Sequence, residues 1–144
     1  MKQSILIIEK NVAIRYLLTT VLRDKYKTIA HPDCYHAATD LKIKDVQLVI
    51  VNIEDQNSAN FDFLLHLNSS SFYSNIPVIV VSDNISTEFR VKCLELGVEA
   101  FFLKPFDPLQ LLDCINVIAA MSDNMRRMNE DVAPQLTYKM SVST

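Results

Sequence analysis

Three short aliphatic runs constrain the fold of this chain more than any other feature. They are Ile5-Leu6-Ile7-Ile8, Leu48-Val49-Ile50-Val51 and Val78-Ile79-Val80-Val81. Each is rich in β-branched residues, continuous rather than alternating, and stopped at once by a polar residue. A strand with one wet face alternates in polarity, whereas a strand covered by helices on both faces reads as an unbroken apolar run. The three runs predict central strands of a parallel sheet, and weaker runs at 26–30 and 100–103 complete a set of five.

Helical periods fill the gaps. Val12, Ile14, Leu17, Leu18, Val21 and Leu22 form an i, i+3, i+4 stripe. Asp33 precedes Ala37, Ala38 and Leu41 as a helix cap. Phe61, Phe63, Leu64, Leu65 and Leu67 mark a third helix. Ser86 opens a fourth through Phe89, Val91, Leu94 and Leu96, closed by Gly97 in a left-handed conformation. Asp107-Pro108-Leu109-Gln110 offers an N-cap, a proline at N1 and a reciprocal glutamine at N3 for the fifth. Five strands alternating with five helices give an α/β fold, a (βα)5 doubly wound five-stranded parallel sheet. Ligands of such sheets bind at the carboxyl ends of the strands. The residues to inspect are therefore Glu9, Lys10, Asn52, Ser82, Asp83 and Lys104.

Residues 1–122 read as one domain. Residues 123–144 read as a helix extension through Met125 and Met128, with Arg126 and Arg127 facing water, and then a tail or linker from Asp131, with Pro134 ending any helix.

Composition removes several functions. A single glycine in 144 residues rules out a phosphate-cradling G-x-x-x-x-G-K-[ST] loop and a G-x-G-x-x-G dinucleotide fingerprint. The net charge is −3 and no long basic block exists, so no nucleic-acid partner is expected. Cys34, Cys93 and Cys114 are odd in number and widely spaced, as in small buried hydrophobes of a reducing compartment. His31, His36 and His66 lack metal-ligand spacing, so no metal site is expected. No apolar stretch approaches a membrane span, so no membrane association is expected and the chain reads as cytoplasmic.

The strand ends resemble those of the receiver domain of bacterial response regulators, the flavodoxin-like, CheY-like fold, over residues 3 to 121. In that family the first strand ends in two acids that hold Mg²⁺, the third in the phosphate-accepting aspartate, the fourth in Ser or Thr, and the fifth in Lys-Pro preceded by a switch aromatic. The most specific match is the stretch from Gly97 through Phe101 and Lys104-Pro105-Phe106 to the Asp107-Pro108 cap. The resemblance implies a degenerate member, a pseudo-receiver. Asn52 occupies the phosphoacceptor position, and an amide does not serve as the nucleophile a carboxylate would be. Glu9 and Lys10 form the altered acidic pocket. A lysine about 4 Å from a divalent cation repels it by about 8 kcal/mol at an effective dielectric near 20, so Mg²⁺ binding is expected to be lost or weak and no cofactor is expected. Ser82 and Lys104 match the phosphate-contacting residues, Phe101 the switch aromatic packed inward, and Lys104-Pro105 a cis peptide.

Two readings of Lys10 stand: a solvated lysine, or a bridge between Glu9 and Asn52 in place of the metal. Lys104 could then pair with Glu9 or Asp83. The leading expectation is a non-enzymatic two-component (phosphorelay) signalling protein acting by protein–protein contact. Its partner would be a kinase, a signalling output protein or a fused output domain. A homodimer through the face of the fourth helix, fifth strand and fifth helix is a further possibility. Contact residues expected there are Phe89, Arg90, Glu99, Phe101 and Phe102. Two alternatives stand beside it: an anion or phosphometabolite sensor built on Lys10, Lys104 and Ser82, and a receiver phosphorylated at Asp55 or Glu54. A flavodoxin-type redox enzyme is disfavoured, because no Ser/Thr-rich loop follows the first strand.

Overall fold

The computed structural model describes residues 2–131, the side chains of 122–131 excepted. In chain order the elements are β1 (Ser4–Ile8), α1 (Val12–Leu22), β2 (Lys27–His31), α2 (Cys34–Ile43), β3 (Leu48–Asn52), α3 (Ala59–Ser69), β4 (Val78–Ser82), α4 (Thr87–Glu95), β5 (Ala100–Leu103) and α5 (Pro108–Asp131). The strands pair in parallel in the order β2-β1-β3-β4-β5. This is the five-stranded, doubly wound arrangement expected from the pattern.

The unbroken apolar runs follow from burial on two sides. Leu6, Ile8, Val49, Val51 and Val80 pack with Ala37, Leu41, Phe61, Leu64, Phe89 and Cys93 from α2, α3 and α4. Their neighbours Ile5, Ile7, Leu48, Ile50, Ile79 and Val81 pack with Leu18, Leu22, Leu111, Ile115 and Ile118 from α1 and α5. Successive strand residues point to opposite faces, so each run must be apolar at every position. Each such side chain contributes about 1.5–3 kcal/mol by leaving water.

Local chemistry sets the helix starts. Asn11, Asp33, Ser58 and Ser86 accept from the amides of Ile14, His36, Phe61 and Phe89 at 3.0–3.2 Å. Asp107 accepts from Leu109 N at 2.9 Å, but no reciprocal bond from Gln110 accompanies it. Gly97 follows α4 at φ +88°, the left-handed stop expected there. The Lys104–Pro105 peptide is cis. The three cysteines are free, with Cys34 and Cys93 buried.

Some expectations shift. Strand β2 begins at Lys27 rather than Tyr26, because Tyr26 N donates to Leu22 O at the end of α1 and cannot enter the ladder. Val12, read as inward, is 68% exposed; α1 buries Leu18 and Leu22 instead. On α4 the buried pair is Phe89 and Cys93, with Val91 outside. Helix α5 runs unbroken past residue 122 to Asp131, so Met125 and Met128 lie in helix. The facing of Arg126 and Arg127 and the tail at 132–144, with Pro134, lie outside what is described.

Candidate functional site

Glu9, Asn52 and Ser82 are the buried polar residues among those described, at 1%, 2% and 0% exposure. All three sit at the carboxyl ends of neighbouring strands, β1, β3 and β4. Lys104 follows β5 on the same edge. The sheet therefore brings together four of the residues singled out from the sequence, Glu9, Asn52, Ser82 and Lys104, at the switch point in strand order.

A buried carboxylate must be paired. Lys104 Nζ stands 2.8 Å from Glu9 Oε1, with the lysine side chain 12% and the glutamate 1% exposed. The contact is a close ion pair whose angles fall outside hydrogen-bond geometry. Glu9 Oε2 accepts from Asn11 N at 3.2 Å, and its carbonyl accepts from Arg15 Nη1 at 2.7 Å. Because β3 and β4 lie between β1 and β5, about 14 Å of sheet at ~4.8 Å per strand, the lysine reaches Glu9 across the ends of both. Lys10 does not make the bridge to Glu9 and Asn52 considered above. It is exposed, and its charge is felt at Asp83. The partner of Glu9 is the other lysine.

The β3–β4 side is held by amides. Asn52 Nδ2 donates to Glu54 Oε1 at 2.8 Å, and its carbonyl accepts from Asn60 Nδ2 at 2.7 Å. Its Oδ1 is buried without a donor. Asn84 joins three groups: its Nδ2 donates to Glu54 O (2.8 Å), its backbone N to Ser82 Oγ (3.0 Å), and its Oδ1 accepts from Ser86 N (2.9 Å). Burial pushes the Glu54 carboxyl up from its usual value, and the neighbouring Asp83 adds to the rise. Asp83 is held below its usual range, by Glu54 first and by Lys104 and Lys10 in addition. Asp83 is exposed at the rim. Asn84 was not read from the sequence as part of the site; Asp83 and Glu54 were, but not as neighbours. An Asn two residues before the Ser86 cap was the available signal for Asn84.

The donor set does not suit a divalent cation. Glu9 is already neutralised by Lys104, Lys10 is cationic where a second acid would stand, and no three His, Cys, Asp or Glu side chains converge among the described residues. Of the residues of an anion pocket, Lys104 is committed to Glu9, while Ser82 Oγ accepts from Asn84 N and keeps its own proton to donate. Asp55 is exposed beyond β3, its carboxylate turned back to accept from Asn57 N at 2.7 Å.

Phe101 on β5 is half-buried, edge-on to Phe89 with centroids 6.0 Å apart. Phe89 itself is 3% exposed; it supports the face from beneath and does not line its surface, contrary to the sequence reading. An open groove of about 480 Å³ runs along α4, β5 and α5, lined by Arg90, Leu94, Phe101, Phe102 and Phe106 among others. No helix among the described residues is long and apolar enough to cross a membrane.

The sequence model described as "Response regulator receiver domain" matches residues 5–116. The chain is 26% identical over 119 residues to the phosphate regulon transcriptional regulatory protein PhoB of Escherichia coli, covering 82% of this chain and 52% of that protein. The chain thus spans about half the length of that relative. The chemotaxis response regulator CheY4 of Vibrio cholerae superimposes with a TM-score of 0.73 at 19% identity, over 82% of this chain and 99% of that one. The orphan response regulator HP1043 of H. pylori does so at 0.72 and 22%, over 81% and 96%. At these identities the two structures establish the fold.

Proposed function

Since the chain belongs to the response regulator receiver domain family of two-component signalling, we propose that it is a pseudo-receiver that signals by protein–protein contact without aspartyl phosphorylation. Receiver domains are in general signalling modules rather than enzymes. The observation that carries the proposal is Asn52 at the acceptor position, beside a Glu9 whose charge Lys104 already cancels at 2.8 Å. In the proposed function the Lys104–Glu9 pair stands where phosphoryl and metal contacts would otherwise form. Mg²⁺ has no role, and the site keeps one charge arrangement.

The output surface is the α4–β5–α5 groove, with Arg90, Phe101 and Phe102 at its wall. Its partner is a kinase, an output protein, a fused output domain or a second copy of the chain, in the cytoplasm, without nucleic acid. The test is incubation with acetyl phosphate or beryllofluoride plus Mg²⁺, followed by intact mass and NMR shifts. Unchanged mass and unmoved resonances are expected. A phosphoryl adduct or a saturable Mg²⁺-dependent shift overturns the proposal, and peptide mapping would show whether Asp55 or Glu54 had accepted the group.

A further inference from the structure

Four hydrogen bonds run in series from the end of β3 to the first turn of α4. Asn52 Nδ2 donates to Glu54 Oε1 at 2.8 Å, and Glu54 O accepts from Asn84 Nδ2 at 2.8 Å. Asn84 Oδ1 accepts from Ser86 N at 2.9 Å, and Ser86 Oγ caps α4 by accepting from Phe89 N at 3.2 Å. Phe89 then meets Phe101 edge-on, at 6.0 Å between ring centres. The series thus begins at a buried amide and ends at the groove.

The path from β4 to α4 has little else to place it. Between Ser82 and Phe89 every residue but Asn84 is exposed, Ile85 at 85%. No buried apolar side chain anchors this stretch, so polar bonds decide where α4 begins. Asn84 supplies three of them, the third from its backbone N to Ser82 Oγ at 3.0 Å. The series also has a direction. A side-chain amide donates through nitrogen and accepts through oxygen, whereas an ionised carboxylate only accepts. Asn52 can therefore hold Glu54 where an aspartate would face it as a second acceptor. Asn84 can bridge Glu54 O to Ser86 N where an aspartate would keep the Ser86 side alone.

We infer that Asn52 and Asn84 form an amide clasp that fixes the start of α4 and, through Phe89, the seat of Phe101 beside the groove. The inference rests on the reading that no phosphoryl group forms at this site. The amide at 52 is then more than the loss of an acceptor: it supplies the bond that holds the output face in one shape. Neither asparagine lines the groove, so both are positioning residues that act on it through Glu54, Ser86 and Phe89.

The experiment is amide hydrogen exchange at Ser86 and Phe89 in the whole chain, with the Phe101 ring resonances followed by NMR. Glu54→Ala removes the acceptor of Asn52 Nδ2, and Asn84→Asp removes the donor to Glu54 O while keeping the acceptor for Ser86 N. Each should speed exchange at Ser86 and Phe89 about fivefold, what one net hydrogen bond is worth, and shift the Phe101 ring. Because the bonds act in series, the double variant should exchange no faster than either single one. Glu54→Gln keeps an acceptor without the charge and should match the parent. Asn60→Ala cuts the other bond of Asn52, to its carbonyl, and should leave Ser86, Phe89 and Phe101 unmoved. Unchanged exchange in Glu54→Ala, additive effects in the double variant, or an equal response to Asn60→Ala overturns the clasp. Where Glu54→Ala does not fold, Asn84→Asp against Asn60→Ala decides. A phosphoryl adduct in the separate mass experiment overturns the proposed function and leaves the exchange result standing. Unmoved exchange with no adduct overturns the clasp alone.

Discussion

Ile50 and Asn52 lie two residues apart on β3, and both are buried, at 0% and 2% exposure. Ile50 is held by a crowd: aliphatic side chains from β1, β4, α1 and α5 surround it, and no single neighbour is indispensable. Asn52 is held by particular partners, Glu54 through its amide nitrogen and Asn60 through its carbonyl. The same contrast separates the interior of the sheet from its whole carboxyl edge. Inside, volume and apolarity suffice. At the edge each polar atom needs a named partner, and the loss of one leaves another stranded.

The largest effect expected is in the interior. Ile50→Ala removes a fully buried side chain from the middle of the sheet and should cost about 4 kcal/mol, within the range for such truncations. Denaturant unfolding checks it. If the interior tolerates what the comparison says it tolerates, Ile50→Val should lose only about 1 kcal/mol.

The next breaks the edge. Lys104→Ala leaves Glu9 charged, buried and unpaired, and should cost about 3 kcal/mol. A crowd and a partner differ in what restores them. The double variant Glu9→Gln, Lys104→Met removes both charges, keeps an acceptor for Asn11 N, and should recover to within about 1 kcal/mol of the parent. If the double variant is as unstable as the single one, the pair is not what holds this edge.

Asn52→Asp comes third. The change forfeits the donor to Glu54 and sets a carboxylate beside it, so stability at neutral pH should fall by about 2 kcal/mol. Millimolar Mg²⁺ should not raise the Tm of the parent chain. It should raise that of the Lys10→Asp, Asn52→Asp double variant, in which two acids replace a lysine and an amide. A Mg²⁺-dependent rise in the parent would mean that Glu9 is not neutralised by Lys104 in solution.

What could be read in the sequence follows the same division. The central strands announced themselves because burial on two faces demands apolar residues at every position, and Asp33, Ser86 and Asp107 announced their helices through cap chemistry. The strand-end positions Glu9, Asn52, Ser82 and Lys104 were legible too, since each polar residue breaks an apolar run. Their partners were not. Lys10 and Lys104 are the same residue type, and Lys10 adjoins Glu9 in the chain. Yet neighbouring residues of an extended backbone point to opposite sides, and it is the distant lysine that faces Glu9. The Asn84–Glu54 bond depends on the register Asn52↔Val81, which brings the two loops level and has no local signature. Phe89, read as a surface residue, is buried because α4 turns its Phe89–Cys93 side inward.

Gly97 is the exception that sharpens the division, because there the scaffold demands one residue type without crowding. Its φ is +88°, and a Cβ built on it would meet only Asn68 Oδ1 at 3.5 Å, an ordinary contact. Space is therefore available, and the cost of Gly97→Ala is the left-handed backbone alone, about 1 kcal/mol. Asn visits this region more readily than Ala, so Gly97→Asn should cost less. If Ala and Asn destabilise equally in denaturant unfolding, the restriction is steric after all, and the end of α4 belongs with the edge, where particular neighbours decide.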